Sequence, residues 1–321
     1  ALVLAFRFSI KREMVLLNTI LLSLTFILIG YGSYTLIIVR SNQDPIINEN
    51  APKDIVSYVS YLKREQYGYR PLLHGQYFTA TLTDQEEGDP IYMKGKNSYE
   101  IVDYDLKNTY DPEKTTILPR IYSTQESHKR IYRAKLGLKE GQEPTFGDNL
   151  YFMFSHQLGH MYWRYFLWNF SGRESDFSDA NWLGIADAFS DKYPEYITDN
   201  KAHNNYLMLP LILGLVGFFF QAKKDQKYFY VNLMLFLMMG VVLVLYLNSP
   251  PIEPRERDYI YVGSFYAFAI WIGLGTLALA HGLNKATKNL TTAGLAATLL
   301  TLPVAGLMAS ENWDDHNRKG R

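Results

Sequence analysis

No cysteine occurs among the 321 residues, which excludes disulfides, thiolate metal sites and cysteine nucleophiles together. Neither sign of charge is in excess: 32 Lys plus Arg balance 32 Asp plus Glu. The basic surplus of a nucleic-acid binder is missing, so no nucleic-acid partner is expected. There is also no glycine-rich nucleotide loop. The G-x-G pairs Gly30/Gly32 and Gly273/Gly275 lie inside apolar runs, where close helix packing is the simpler explanation. What is plentiful is apolar sequence, 48% of the chain. The mean hydropathy of −0.13 is nonetheless that of a soluble protein, because the apolar residues are unevenly distributed.

Residues 14–39 contain 26 positions without a charge. About 20 apolar residues cross a hydrocarbon core, so this segment spans with room for tilt. It is too long for a signal peptide, does not start the chain, and has no small-residue cleavage pattern after it. Residues 206–221, 228–247, 259–283 and 289–310 repeat the pattern, the first of them short. Basic residues mark alternate connections: Lys11 and Arg12, then Lys223, Lys224 and Lys227, then Lys285 and Lys288. By the positive-inside rule these face the cytoplasm, and residues 40–205 lie outside. The outer segment holds 19 basic against 24 acidic residues, a net of −5, and the three cytoplasmic turns carry 7 against 2, a net of +5.

The expected fold is mainly α: a polytopic membrane protein of about five transmembrane helices with an inserted extracytoplasmic mixed α/β region. Residues 1–39 supply the end of one span and a whole one, 40–205 the external region, 206–310 four further helices, and 311–321 an external tail. The chain starts at Ala1 and stops just past a polar run, so an internal piece of a larger multi-spanning protein is expected. Within the external region, Pro52 and Asp54 begin a helix carrying Ile55, Val56, Val59 and Leu62 up to Tyr67. Residues 72–82, 89–95, 98–106 and 116–123 read as strands between turn residues.

An aromatic helix is expected at 149–171, within NLYFMFSHQLGHMYWRYFLWNFSGR. His156, His160 and Arg164 fall four apart and share a face. The segment suits either a packing helix joining the region to the spans or the headgroup zone, with His160 and Arg164 as donors to a phosphate. A zincin-type metal site lacks its glutamate, because Gln157 follows His156, and no metal is expected. The turn NSPPIEPRERDYIY, residues 248–261, combines prolines with Arg255, Glu256, Arg257 and Asp258 in succession. Proline-held guanidiniums could grip a lipid phosphate. Alternatively, Glu253, Glu256 and Asp258 neutralise the arginines in a self-satisfied cap.

These residues carry a resemblance. PPIEPRERDYIYVGSFYAFAIWIGLG, GHMYWRYFLWNFSGR, REQYGYRPLLHGQYF and ILIGYGSYTLIIVRSNQDPIINEN resemble the bacterial membrane proteins of domain-of-unknown-function family 2723, over essentially the whole chain. That family is similar to protein O-mannosyltransferases of the glycosyltransferase C class. The resemblance implies a multi-pass protein of the bacterial inner membrane. It further implies sugar transfer from a polyprenyl-phosphate donor to an extracytoplasmic acceptor, a protein hydroxyl among the options. The class keeps its catalytic carboxylate in the first external loop, expected upstream of Ala1, so no catalytic base is assigned here. Negative charge on the departing lipid phosphate calls for cations: Arg255 and Arg257 first, Arg164 and His160 second, with Glu253, Glu256 or Asp258 orienting them. Besides membrane lipid and the lipid-linked donor, no cofactor is expected. A non-catalytic docking or scaffold protein of the envelope is the other class. A transporter would want ionisable groups at mid-membrane, and the apolar runs offer only His281, near an end.

Overall fold

The computed structural model describes residues 2–63, 65, 68, 70–253 and 255–313. Tyr67, Pro254 and nearly all of the expected tail lie outside the described residues. The chain divides into two compact units, residues 1–69 with 82–109, and residues 70–81 with 110–321.

In the first unit, α1 (Leu2–Lys11) packs on α2 (Val15–Ser41). The Asn18 amide donates to Ser9 Oγ at 3.1 Å across the turn between them. α3 (Ile55–Lys63) follows. Asp54 is its N-cap rather than a member of its first turn: Oδ1 accepts from the amides of Val56 and Ser57 at 3.0 and 3.2 Å. β2 (Leu82–Lys94) and β3 (Tyr99–Tyr110) then form a two-stranded ribbon. It is tied by Thr83 Oγ1 to the Thr109 carbonyl at 3.0 Å and by Gln85 to Asn108 at 2.8 Å. The strands extend beyond the expected segments into the acidic run DQEEGD, where backbone pairing overrides poor strand propensity.

The second unit begins with β1 (His74–Gln76), antiparallel to β4 (Thr115–Ile117) with Gly75 opposite Thr116. α4 (Glu126–Leu136) ends on Gly137, whose φ of 66° closes the helix in the left-handed conformation. The expected aromatic helix is longer than its sequence signal. α5 (Phe146–Phe152) starts from a Thr145/Asp148 capping box, continues as a π-helix (Met153–Trp163) and finishes as α6 (Arg164–Phe170). β5 (Gly172–Arg173) pairs with β6 (Asn204–Asn205), with the short α7 (Glu195–Thr198) between them. Then come α8 (Leu209–Lys224), α9 (Gln226–Met238), α10 (Val241–Leu247), α11 (Val262–Thr287) and α12 (Leu290–Glu311).

α11 is the central element, packed on α8, α9 and α12. Its contact with α8 is set by glycine. A Cβ on Gly217 would sit 1.8 Å from the Trp271 carbonyl, and one on Gly275 2.2 Å from that of Leu213. Gly273, Gly30 and Gly32 meet nothing within 4 Å, so the packing role expected of both G-x-G pairs falls to Gly275 alone. The core joins the aromatic helix to this bundle through Tyr162, Phe166 and Phe170 against Phe236, Phe265, Phe268 and Trp271. The Tyr162 hydroxyl and Ser264 Oγ are 2.6 Å apart inside it.

Among the described residues, four helices are long and apolar enough to cross a membrane, over Val15–Ser41, Gln226–Leu247, Asp258–Thr287 and Leu290–Glu311. The fifth expected span is α8. Its 16 residues reach roughly 24 Å at 1.5 Å each, short of a hydrocarbon core of about 30 Å.

A candidate anion site at the connecting turn

The turn between α10 and α11 is built on a helix end. α10 stops at Asn248, whose φ of 41° and ψ of 53° are left-handed, which leaves terminal carbonyls to be satisfied. Arg120 Nη1 donates to the Leu245 carbonyl at 2.8 Å, Arg70 Nη1 to that of Leu247 at 3.0 Å, and the Tyr122 hydroxyl to that of Asn248 at 3.0 Å. Two cations at a helix C-terminus also match its partial negative charge. Burial pushes the Tyr122 hydroxyl up to about 12, against the opposing pull of Arg70, so it stays a donor. Asn248 returns the contact: its amide donates to the carbonyls of Pro71 and Pro119 at 2.6 and 2.9 Å, and its Oδ1 accepts from Gln157 at 3.0 Å.

Beyond Asn248 the charged residues separate into three groups. Glu256 is gathered in by the aromatic helix. Arg164 Nη2 lies 3.2 and 3.0 Å from its two carboxylate oxygens, the Asp179 amide donates to Oε1 at 3.0 Å, and the Tyr165 hydroxyl donates to Oε2. All three guanidinium nitrogens of Arg164 are engaged within the protein. Its Nε donates to the His160 carbonyl and its Nη1 to that of Ala180, at 2.9 and 2.8 Å, and the guanidinium lies over Tyr165 and Trp168. Only 4% of it is exposed, so this arginine fastens the turn to the aromatic helix instead of meeting a lipid phosphate.

Glu253 forms the second group. It pairs with Arg257 at 3.4 Å and with Arg70 at 3.7 Å, two guanidiniums sharing one carboxylate. Arg257 Nε and Glu253 Oε1 are buried without a hydrogen-bond partner, so the triad is loosely closed and keeps one positive charge in surplus. Arg255 is the third group. It is exposed, and its contacts are with Tyr259: 3.4 Å to the hydroxyl and 5.9 Å to the ring centre. Asp258 bonds only to adjacent backbone among the described residues, accepting from the Tyr259 amide at 2.9 Å as the chain enters a single 3₁₀ turn.

His160 stays beside Arg164, half-buried, and pairs with the exposed carboxylate of Asp179. Its Nε2 is 2.9 Å from Asp179 Oδ1, and its ring stacks on His156 with centres 5.3 Å apart. Burial, reinforced by Arg164, holds the His160 imidazole below its ordinary value against the pull of Asp179. His156 is pushed down to about 3, chiefly by burial, and its Nδ1 has no partner. The structure therefore joins Glu256 to Arg164 directly and to His160 through Asp179, and holds Glu253 with Arg257. It leaves Arg255 facing outward. Arg70 and Arg120 carry no periodic signal in the sequence. What marks them is that each adjoins a proline, Pro71 or Pro119, whose carbonyl Asn248 uses.

The profile of a family of unknown function, DUF8416, matches residues 68–154, a minority of the chain that includes Arg70, Arg120 and Tyr122. No curated protein and no solved structure matches.

Proposed function

We propose that this chain is part of an integral membrane glycosyltransferase-like protein that moves a sugar from a polyprenyl-phosphate donor to an extracytoplasmic acceptor, protein O-mannosylation being one form of the reaction. Arg255 carries the proposal. It is an exposed guanidinium with no carboxylate partner among the described residues, on a turn next to apolar helices long enough to cross a membrane. Its neighbours are fixed, Glu256 by Arg164 and Arg257 by Glu253, so the cation is presented on a braced backbone. Departure of the sugar leaves charge on the lipid phosphate, and a positioned cation stabilises the transition state more than the ground state. Arg257 and Arg70, with one charge in surplus, reinforce the potential there. Support also comes from the resemblance of the chain's long motifs to family 2723.

In the full-length protein, Arg255→Ala with Arg257→Ala is expected to reduce glycan transfer by on the order of 10²-fold or more, the usual scale for losing a transition-state donor. Normal glycosylation of the acceptor by that variant would sink the proposal. The alternative, a non-catalytic docking protein of the envelope, is favoured by the ribbon of β2 and β3. It carries seven carboxylates against three lysines over residues 82–110 and is exposed along nearly its whole length. Removal of the ribbon's charges would abolish partner capture in that case, and Arg255 would be dispensable.

A further inference from the structure

The C-terminal end of α2 holds a cavity of about 430 Å³ that none of the preceding chemistry uses. Leu36 and Ile37 line it from the last apolar turns of the helix, Arg40 from the first charged position after the apolar run, and Ile47, Glu49 and Tyr61 from the returning chain and α3. All of these belong to the first unit. The volume falls in the usual range of ligand pockets, about 300–1,000 Å³.

The wall is built rather than incidental. Ser41 Oγ donates to Asn48 Oδ1 at 2.9 Å, and Asn48 Nδ2 donates back to the Ser41 carbonyl at 3.2 Å. The Asn42 amide reaches the Lys53 carbonyl at 3.2 Å, which pins the far end of the loop. Asp44, Asn50 and Ala51 have φ of 48°, 58° and 36°, left-handed values that non-glycine residues adopt at a cost. Lys53 and Asp44 neutralise each other. Arg40 and Glu49 are both exposed, and neither has an ion-pair partner among the described residues.

The cavity thus offers an apolar side continuous with a helix long enough to cross a membrane, one free guanidinium where that helix leaves its apolar run, and one free carboxylate. The geometry points to a binding site for a glycerophospholipid whose headgroup carries both a phosphate and a primary ammonium, the phosphatidylethanolamine class. Arg40 takes the phosphate, as guanidinium does in charge-assisted pairs. Glu49 takes the ammonium, and Leu36 and Ile37 lie along the acyl chains. A headgroup with phosphate alone leaves Glu49 facing an anion. A trimethylated headgroup cannot donate a hydrogen bond to it. The site is independent of the proposed sugar transfer, since it lies in the other unit and uses none of the turn residues.

The test measures thermal unfolding of the purified protein in a neutral detergent on titration with phosphatidylethanolamine, phosphatidylglycerol or phosphatidylcholine. Inorganic phosphate and free phosphoethanolamine serve as arms without acyl chains. The expected order places phosphatidylethanolamine first, with both chain-free probes inactive at equal concentration. Arg40→Ala is expected to raise the half-saturating concentration at least about tenfold, the loss of one charge-assisted hydrogen bond. Glu49→Gln should erase the preference over phosphatidylglycerol while keeping affinity for phosphate. Ile37→Trp, which narrows the groove and leaves both charges in place, should weaken all three lipids. Equal stabilisation of the wild type by the three lipids would overturn the assignment. An unchanged titration in Arg40→Ala, or free phosphoethanolamine acting as strongly as the lipid, would overturn it too.

Discussion

Arg164 and Glu256, 92 residues apart in sequence, meet with one guanidinium nitrogen 3.2 and 3.0 Å from the two carboxylate oxygens. The arginine is 4% exposed and stacked on two aromatic rings, so the pair bolts the connecting turn to the aromatic helix from inside the protein. Removing one partner strands the other charge in a place with little water, which typically costs about 3–5 kcal/mol for a buried pair. Because Glu256 is partly exposed, the lower end applies. Arg164→Ala is expected to lower the melting temperature in detergent clearly, whereas Arg255→Ala, at an exposed site, leaves it nearly unchanged. Equal melting of the two variants would remove the bolt.

The contact of α8 with α11 predicts opposite outcomes for two glycines. Gly217→Ala puts a methyl 1.8 Å from the Trp271 carbonyl, so the helices must separate, and overpacking of this kind costs about 1–3 kcal/mol. Gly273→Ala meets nothing within 4 Å and also gains helix propensity, so it is expected to be neutral or slightly stabilising. Thermal unfolding of the two variants side by side decides this.

At Asn248 the backbone and the side chain do separate jobs. Asn248→Ala and Asn248→Gly both lose the bonds to Pro71 and Pro119, but only glycine keeps the left-handed conformation without strain. The glycine variant is expected to be the more stable by about 1 kcal/mol. Indistinguishable melting curves would mean that the conformation at this helix end costs nothing.

His156, ordinarily near 6.5, is held down to about 3, so the folded protein refuses a proton that the unfolded chain accepts. The contribution of this residue to stability is therefore complete above pH 6.5 and declines as pH falls toward 3, by at most about 1.4 kcal/mol per pH unit. His160, also lowered, acts in the same direction. His156→Phe keeps a ring beside Phe152, which lies 4.9 Å away in a tilted contact, and should flatten the profile between pH 6.5 and 4. A profile as steep as that of the wild type would assign the acid sensitivity elsewhere.

Where the sequence was readable, the reason was periodicity or an uninterrupted apolar run. The helices at 15–41, 262–287 and 290–311 follow from charge-free stretches, and the aromatic helix follows from its composition. α8 read as a span because apolar residues extend into Tyr206 and Leu207, yet both have turned out of the helix, Leu207 with a φ of 54°. The strand β2 was legible only at DPIYMKG, since its acidic half is held by pairing with β3. The π-helical stretch leaves no pattern of its own. At the turn, the arginines and carboxylates stood out in sequence, but which of them would pair did not. Glu256 chose Arg164 and Glu253 chose Arg70 and Arg257 through contacts 92 and more residues away for Arg164 and Arg70, and a local charge run cannot reveal such contacts.

The most direct test of the phosphate assignment is binding of polyprenyl phosphate to the full-length protein in phosphatidylcholine nanodiscs, compared between the wild type and Arg255→Glu. The expected result is saturable binding that weakens at least about tenfold in Arg255→Glu, with an unchanged melting temperature. Equal affinity in the two proteins would contradict the account.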